Sequence, residues 1–249
     1  MTDNVRILLE KLEKENIETL SKRGRGTELE KYCSWIGISK HGTAREKAIR
    51  LLNWYDSNTY KERLKKYEHL KLKINIKTGT HGKTVRGSIS KYLWLKKIRP
   101  AILTKYNYKC SICGFEPEES ERKQLHVHEI EEYDFGQDIC ELKGLELICS
   151  SCHSFYHLYR SYSVTTKAQM DELISHFTRV NEIEREEYQE YVRLLQCSWR
   201  NDSIKSIDEQ INKGHSDCDK IVTFKISCDM PYKVEVIKQL KKKGLYIEN

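Results

Sequence analysis

The chain has 249 residues, of which 38% are hydrophobic and 33% are charged. This composition disfavours one large hydrophobic core and predicts several small modules instead. The nine cysteines are an odd number, the N-terminus lacks the apolar stretch of a signal peptide, and no run of about eighteen apolar residues is present. We therefore expect reduced thiols, a cytoplasmic location and no membrane span.

The net charge of +7 is unevenly distributed along the chain. Residues 61–109 contain fifteen Lys and Arg against two acids, a local balance of +13, so the remaining residues sum to −6. A basic block with interleaved aromatic residues is typical of a surface that binds phosphates. The alternative is a solvated helix face followed by a basic linker. The residues that we expect to contact nucleic acid are Lys91, Lys96, Lys97, Arg99 and Lys105.

The first sixty residues have a helical pattern. Apolar residues at helical spacing predict an amphipathic helix over residues 3–20. Thr27 and Thr43 each open a capping-box sequence, which predicts a short helix over about 28–35 and a second helix to about Tyr55.

The string Leu-x-x-Tyr-Cys-x-x-Ile-Gly-Ile-Ser-x-x-Gly-Thr-x-x-Glu-x-x-x-Arg-x-Leu, from Leu29 to Leu52, resembles a SAP-type helix-extended-helix module. This resemblance implies docking on duplex DNA through backbone phosphates. Any small helical hairpin could produce the same pattern.

Further along the chain, residues 71–90 alternate and then become glycine-rich, which predicts a short strand followed by a loop that contains His81. Residues 92–103 have a helical pattern. After residue 165, a capping box at Thr166 precedes a long acidic helical tract, predicted from Met170 to about Trp199 with a break near residues 179–181. A further helix is predicted from Ser206 and a strand over residues 221–227. The last predicted element is a helix from Pro231 to Lys243 that ends at Gly244.

Two Cys-x-x-Cys pairs, Cys110 with Cys113 and Cys149 with Cys152, are separated by thirty-five residues. Four thiolates in two such pairs predict a tetrahedral structural zinc site that closes the segment between them. Gly114, directly after the first pair, favours the tight turn that such a site needs. The other cysteines are predicted to be ordinary apolar side chains: Cys33, Cys140, Cys197, Cys218 and Cys228.

Histidines lie within and just after the segment between the two pairs. His126 and His128 share one face of a predicted strand, because side chains alternate along a strand. His153 and His157 are four residues apart, which predicts that they share one face of a helix. Imidazoles from a strand pair and a facing helix can hold a divalent ion while coordination positions stay open for a phosphate.

The motifs Cys-x-x-Cys-Gly-Phe, Leu-His-Val-His-Glu-Ile and Gly-Leu-x-Leu-Ile-Cys-x-x-Cys-His-x-x-x-His together resemble an HNH (ββα-metal) endonuclease of the zinc-bearing subtype, over roughly residues 95–160. The segment from Ile174 to Asn181 is similar to extensions of some bacterial members. The resemblance implies hydrolysis of DNA phosphodiester bonds with one catalytic metal, a histidine of the first strand as general base, and metal ligands on the helix. His153 matches the family's terminal histidine ligand, and His157 matches a second ligand of some members.

The chain departs from this family on the first strand. Members typically have Asp-His or His-His there, in which the first residue binds the metal and the second activates water, whereas this chain has His128-Glu129. In strict register, His128 is the ligand and Glu129 takes the position of the base. By chemistry, His128 is the base, because imidazole titrates near neutrality and a carboxylate normally does not. The missing ligand then comes from His126, Glu129 or Asp134.

Of these alternatives we favour His128 as the base with Glu129 beside it, and His126, His153 and His157 around the catalytic metal. The family's middle asparagine is also absent, since Gly144 or Leu145 occupies that region. Mg²⁺ or Mn²⁺ is the family's usual ion, and imidazole ligands would also suit Ni²⁺ or Zn²⁺.

We thus expect an α+β chain with a ββα-metal HNH core and a four-cysteine zinc site, flanked by a SAP-like helical module and a mostly helical C-terminal extension. The predicted segments are 1–60 (SAP-like), 61–94 (basic linker), 95–165 (nuclease) and 166–249 (extension with a small α/β tail). The expected activity is that of a bacterial or phage-encoded endonuclease on double-stranded DNA, as a homodimer if it cuts both strands. The alternatives are a catalytically inactive zinc-stabilised DNA-binding protein and a zinc-ribbon interaction module.

Overall fold

The computed structural model of the protein describes residues 2–23, 27–75, 84–134, 137–213 and 222–248. The fold is mixed α+β, with many helices and a sheet of three strands, so the predicted fold class is confirmed at this level. Within the described residues, every helix is too short or too polar to cross a lipid bilayer. The predictions for His81 and Cys218 fall on positions outside the described residues.

The chain divides into two compact units. Residues 1–69 and 190–202 form the first unit, and residues 70–189 and 203–249 form the second. The first unit contains α1 (Asp3–Leu12), α2 (Ile17–Arg23), α3 (Thr27–Trp35) and α4 (Ala44–Lys65).

The helix predicted over residues 3–20 is two helices, because Asn16 starts a new one. Its side-chain Oδ1 accepts a hydrogen bond from the Thr19 backbone N–H at 2.9 Å, and the Thr19 hydroxyl accepts one from the Asn16 N–H at 3.0 Å. This reciprocal cap begins α2, four residues after the last residue of α1. The predicted capping box at Thr43 is confirmed, with Glu46 as its partner.

The first unit is held together by apolar packing and by buried ion pairs. The carboxylate of Asp56, which is 1% exposed, lies 2.6 Å from Arg63 and 2.6 Å from Arg193. Two guanidinium groups on one buried carboxylate offset the cost of removing its charge from water. The apolar core of α1–α4 consists of Leu8, Leu12, Leu20, Leu29, Tyr32, Cys33, Ala48, Leu51 and Tyr55.

The second unit contains the predicted metal-binding segments. Its elements, in chain order, are α5 (Val85–Ser88), a π-helical turn (Leu93–Ile98) that continues into α6 (Arg99–Lys105), a 3₁₀ turn (Glu119–Gln124), β1 (Leu125–Asp134), β2 (Ile139–Cys149), α7 (Ser150–Tyr156), α8 (Leu158–Val164), α9 (Lys167–Asn181), β3 (Thr223–Ile226) and α11 (Lys233–Lys242). A further helix, α10 (Arg185–Lys213), contributes residues to both units.

Most C-terminal predictions are confirmed. Thr166 and Gln169 form the capping box of α9, and Glu182 ends that helix in a left-handed conformation. β3 forms, and α11 is followed by Gly244 at φ +67°. The helix predicted to start at Ser206 is wrong, because the backbone of α10 continues through that residue.

The strand predicted after residue 71 is wrong for residues 71–75, which form no strand. The physical reason is a side-chain amide that replaces a neighbouring strand. Asn181, at the end of α9, accepts a hydrogen bond from the Leu72 N–H and donates one to the Leu72 carbonyl, both at 2.9 Å.

The sheet has the order β1-β2-β3, with β1 antiparallel to β2 and β2 parallel to β3. The register of the hairpin positions the candidate site. Leu125 pairs with Cys149 at the open end, and His128 pairs with Glu146. α7 begins directly after Cys149, so the second cysteine pair and the histidines after it lie beside the first residues of β1.

Candidate functional site

The two cysteine pairs come together at the open end of the hairpin. The first pair lies on a turn in which Gly114 has φ +75°. The Gly114 N–H donates a hydrogen bond to the Cys110 carbonyl oxygen at 3.0 Å. The Ser111 N–H donates to the Leu147 carbonyl at 2.8 Å, which attaches this turn to β2. Gly114 therefore forms the predicted tight turn, since few residues other than glycine adopt this φ readily, and its N–H donates to a carbonyl oxygen and not to a sulfur.

The four sulfur atoms have the spacing of a metal site. Cys110 Sγ lies 3.9 Å from Cys152 Sγ, and Cys113 Sγ lies 3.6 Å from Cys149 Sγ. A tetrahedral zinc with Zn–S bonds of about 2.3 Å requires sulfur–sulfur separations of about 3.8 Å. The cluster could therefore hold a metal such as zinc.

The thiols also influence each other's ionisation. Hydrogen bonds from Cys110 first, and then from Cys149 and Cys152, hold the pKa of Cys113 well below its ordinary value. A lowered pKa favours the thiolate, which is the form that binds metal.

The remaining described cysteines stand apart from this cluster. Cys33, Cys140 and Cys197 are buried and Cys228 is half-buried, and none of the four forms a disulfide or belongs to the group of sulfur atoms that could share a metal. Their predicted role as ordinary apolar side chains agrees with this placement.

A residue that sequence reasoning missed, His176 on α9, contacts the cysteine cluster. Its Nε2 lies 3.2 Å from Cys152 Sγ, and Arg179 Nη2 lies 3.3 Å from its Nδ1. Because the guanidinium can only donate, Nδ1 accepts and Nε2 carries the proton towards sulfur. Outer partners of this kind orient metal ligands and tune their basicity. The two residues belong to the segment from Ile174 to Asn181, whose resemblance to nuclease extensions is the signal that could have found them.

Three histidines form a second cluster with metal-binding potential. One ligand atom each from His128, His153 and His157 lies within 4.8 Å of the other two. Tetrahedral coordination with metal–nitrogen bonds of about 2.1 Å places nitrogens about 3.4 Å apart. The three rings thus need at most about 1.4 Å of closure per pair to share one ion, a shift within the range of side-chain rotation.

The helix that carries these residues differs from the prediction. His153 lies within α7, but His157 lies at the junction between α7 and α8, with φ −130° and ψ 44°. The Ser161 hydroxyl donates to the Ser154 carbonyl at 2.9 Å across this junction. The break keeps the ring of His157 near that of His153, with centroids 4.8 Å apart.

The histidine site is partly buried, with His128 buried and His153 and His157 half-buried. Burial first, and then the charges of His126 and His157, lower the pKa of His153 to about 4. A neutral imidazole keeps its lone pair available for a metal at physiological pH. The Tyr156 ring packs on His128 with centroids 4.2 Å apart, and burial raises the pKa of Glu146, the cross-strand neighbour of His128.

His126 lies beside this cluster and outside its ligand group. Its ring stacks on His153 with centroids 4.8 Å apart and an interplanar angle of 6°. The Ser150 hydroxyl donates to the Gln124 carbonyl at 3.1 Å and lies 3.0 Å from His126 Nε2. The hydroxyl has a single proton, so it accepts from Nε2–H, and the lone pair of His126 is on Nδ1.

These contacts bear on the predicted roles of the first strand. His128 belongs to the group of ligand atoms that could hold a metal, as strict register implies, and His126 lies outside that group. Glu129 points to the opposite face of β1 from His128, and its Oε1 accepts a hydrogen bond from the Arg86 backbone N–H at 2.7 Å. Gly144 pairs with Ile130 in the register, and Leu145 is buried.

The predicted nucleic-acid-binding residues have two different environments. Lys91, Lys96, Lys97 and Lys105 are exposed. Arg99 is half-buried, and its guanidinium donates to the carbonyl oxygens of Leu125 at 3.1 Å and Arg122 at 3.5 Å. Arg99 therefore holds the start of β1, while the four lysines can meet a ligand.

Two arginines that the sequence did not single out lie near the histidines. The charges of Arg86 and Arg160 contribute, after burial and the neighbouring histidines, to the lowered pKa of His153. Both side chains are exposed. Exposed guanidinium groups of this kind are suited to an anionic ligand.

In comparisons with known proteins, the chain matches no family model, no curated protein and no solved structure.

Proposed function

We propose that the chain is a metal-dependent DNA endonuclease that hydrolyses phosphodiester bonds. The observation that supports this most is the convergence of His128, His153 and His157, whose ligand atoms lie within 4.8 Å of one another beside a separate cluster of four cysteines. A protein that needs metal only for structural support would not require this second set of imidazoles.

The electrostatics of the second unit agree with a polyanionic substrate. Exposed cations occur on α5, on the π-helical turn, on α6 and on α8. Phosphate contacts from such residues supply most of the sequence-independent affinity for DNA. They position the backbone without reading the bases.

The three histidines are the proposed ligands of the catalytic ion. When bound, a divalent ion would stabilise the charge that develops on the phosphate and on the leaving 3′ oxygen. An all-imidazole set suits Mn²⁺, Ni²⁺ or Zn²⁺ better than Mg²⁺, which prefers oxygen ligands. We therefore expect Mg²⁺ to be the weakest of these four ions in support of cleavage.

His126 is the proposed acceptor of the proton from the attacking water. Its hydrogen bond to Ser150 fixes the tautomer so that Nδ1 carries the lone pair, and stacking on His153 fixes the ring. As the water oxygen bonds to phosphorus, its proton passes to Nδ1 and the bond from phosphorus to the 3′ oxygen breaks.

The deciding experiment is a cleavage assay on supercoiled plasmid with the purified full-length chain. Each of the four ions is added separately, and nicked and linear products are measured over time. We expect cleavage that EDTA stops and that His153→Ala abolishes, while Cys140→Ala, which changes a buried thiol outside both clusters, retains it. DNA binding without cleavage in every metal would instead support a catalytically inactive zinc-stabilised DNA-binding protein.

A further inference from the structure

The short helix α5 is anchored on several sides. Val85 is fully buried, and the Thr84 hydroxyl caps the helix by accepting the Gly87 N–H at 3.0 Å. Gln239 of α11 accepts the Ser90 N–H at 2.7 Å just after the helix. An exposed side chain on α5 therefore projects from a fixed backbone.

Glu129 supplies another of these anchors. Its Oε1 accepts the Arg86 backbone N–H at 2.7 Å, in the first turn of α5, where helical N–H groups have no partner within the helix. The residue directly after His128 in β1 thus connects the candidate site to Arg86.

The Arg86 side chain is held against an aromatic ring. Its guanidinium carbon lies 5.4 Å from the centroid of the Trp94 ring, and Trp94 itself is buried. The Arg86 backbone N–H lies 2.7 Å from the carboxylate of Glu129, the residue directly after His128, so the side chain starts beside the strand that carries the histidines.

We infer that Arg86 binds a phosphate of the nucleic-acid backbone beside the strand that carries the histidines, and that Glu129 is a positioning residue for Arg86 and not the general base. The inference rests on the proposed nuclease function. A guanidinium can donate two parallel hydrogen bonds to phosphate oxygens, and its stacking on an aromatic ring orients that pair of donors. Glu129 contributes through the backbone that it caps.

Glutamine at position 129 separates positioning from proton transfer. In Glu129→Gln the amide oxygen can still accept the Arg86 N–H, but the group is no longer basic. We expect Glu129→Ala to raise KM for an oligonucleotide duplex and to lower kcat/KM by about 10- to 100-fold, with Glu129→Gln at least about tenfold more active than Glu129→Ala. Glu132→Gln, a change of an exposed carboxylate on the same strand, is the matched control.

Equal loss of kcat in the glutamine and alanine variants, with KM unchanged, would overturn the positioning role. Amide hydrogen exchange gives a readout that is independent of activity. Residues 84–88 should exchange faster in Glu129→Ala than in the wild type, and Glu129→Gln should restore most of their protection. Unchanged exchange in Glu129→Ala would also overturn the inference.

The phosphate contact of Arg86 is tested by DNA affinity without added divalent ion, where no cleavage is measured. Loss of one phosphate contact should reduce the slope of log K against log salt by about 0.9. We expect this change in Arg86→Gln and not in Lys167→Gln, an exposed cation on α9. If the wild-type protein binds DNA but never cleaves it, the nuclease function is refuted. The salt dependence of DNA affinity in Arg86→Gln would still decide whether Arg86 contacts a phosphate. An unchanged slope in Arg86→Gln would refute the phosphate contact.

Discussion

Substitutions at His126 and His128 separate metal binding from proton transfer. The variants are His128→Ala, His126→Ala and His126→Gln, the last of which keeps an N–H donor for Ser150 but has no basic nitrogen. We expect His128→Ala to lose the second ion and with it cleavage. The two His126 variants should still bind the second ion and should show only a lower rate of cleavage, because His126 lies outside the ligand group.

The expected magnitudes are derived from the geometry. His128 is one of three ligands whose atoms already lie within 4.8 Å of each other, so the site needs little rearrangement to bind. Loss of a residue that hydrogen-bonds to a metal ligand typically lowers metal affinity by about 10- to 100-fold. Loss of a direct ligand should therefore lower the affinity for the second ion by at least about 100-fold. Removal of a general base should slow cleavage by about 10²- to 10⁴-fold.

The assay combines titration calorimetry of Mn²⁺ or Ni²⁺ into protein whose thiolate site is filled with zinc, and plasmid nicking at saturating metal. For His126→Ala we expect an ion affinity within about threefold of the wild type, because stacking on His153 is the contact that is lost. The reasoning is refuted if His126→Ala lowers the affinity for the second ion by the amount expected for His128→Ala, while His128→Ala keeps the wild-type affinity. That result would restore His128 as the base and His126 as a ligand.

Three further predictions concern the metals and pH. Cys113→Ala should lose the thiolate-bound metal and lower the Tm, measured by elemental analysis and calorimetry, whereas Cys140→Ala should keep the metal. His176→Ala should lower the affinity for that metal by about 10- to 100-fold, measured by competition with a chelator. His176→Gln, which retains an N–H donor, should lower the affinity less. The pKa of His153 is about 4 in the folded chain, below the usual value of about 6.5, so the unfolded state binds more protons between these values. Stability should therefore fall as pH decreases from about 6.5 to about 4, with His153 contributing at most about 3 kcal/mol, in urea unfolding without a second ion. His153→Gln should reduce that dependence and leave the smaller part that comes from the lowered pKa of His126.

The elements that were well predicted are those with local determinants. Capping boxes at Thr43 and Thr166 depend on residues three positions apart, and both form. The two Cys-x-x-Cys pairs are recognisable from their spacing in the sequence alone, and their sulfur atoms lie at distances suited to a bound metal. Side-chain alternation along β1 correctly placed His126 and His128 on one face.

The failures depend on contacts distant in sequence. Residues 71–75 alternate as a strand does, but the backbone of Leu72 is satisfied by Asn181, more than a hundred positions away. His176 meets Cys152 only because α9 returns to α7, and Arg86 meets Glu129 only because α5 packs beside β1. Local patterns carry no information about such pairings, which arise from tertiary packing.

The roles of the first-strand histidines could not be assigned from sequence, because both share one face of β1 and either could meet the helix. The first turn of α7 separates them in the structure. Ser150, the first residue of that helix, lies 3.0 Å from His126 Nε2, while the ring of His153, one turn further, contacts both His126, at a centroid distance of 4.8 Å, and His128, at 5.5 Å. The proposed assignment of ligand and base therefore depends on the contact with Ser150 and on the ligand group of His128, His153 and His157.

The same helix start links the two candidate metal centres. Cys149 is the N-cap of α7, and its sulfur accepts the Cys152 N–H at 3.5 Å. His153 comes directly after Cys152, so a metal on the four thiolates would fix the first turn of α7 and with it the position of one imidazole ligand. An arrangement fixed before the ion binds costs less conformational entropy at binding. The thiolate cluster therefore supports the proposed chemistry indirectly, because it holds in place the backbone on which the histidine site depends.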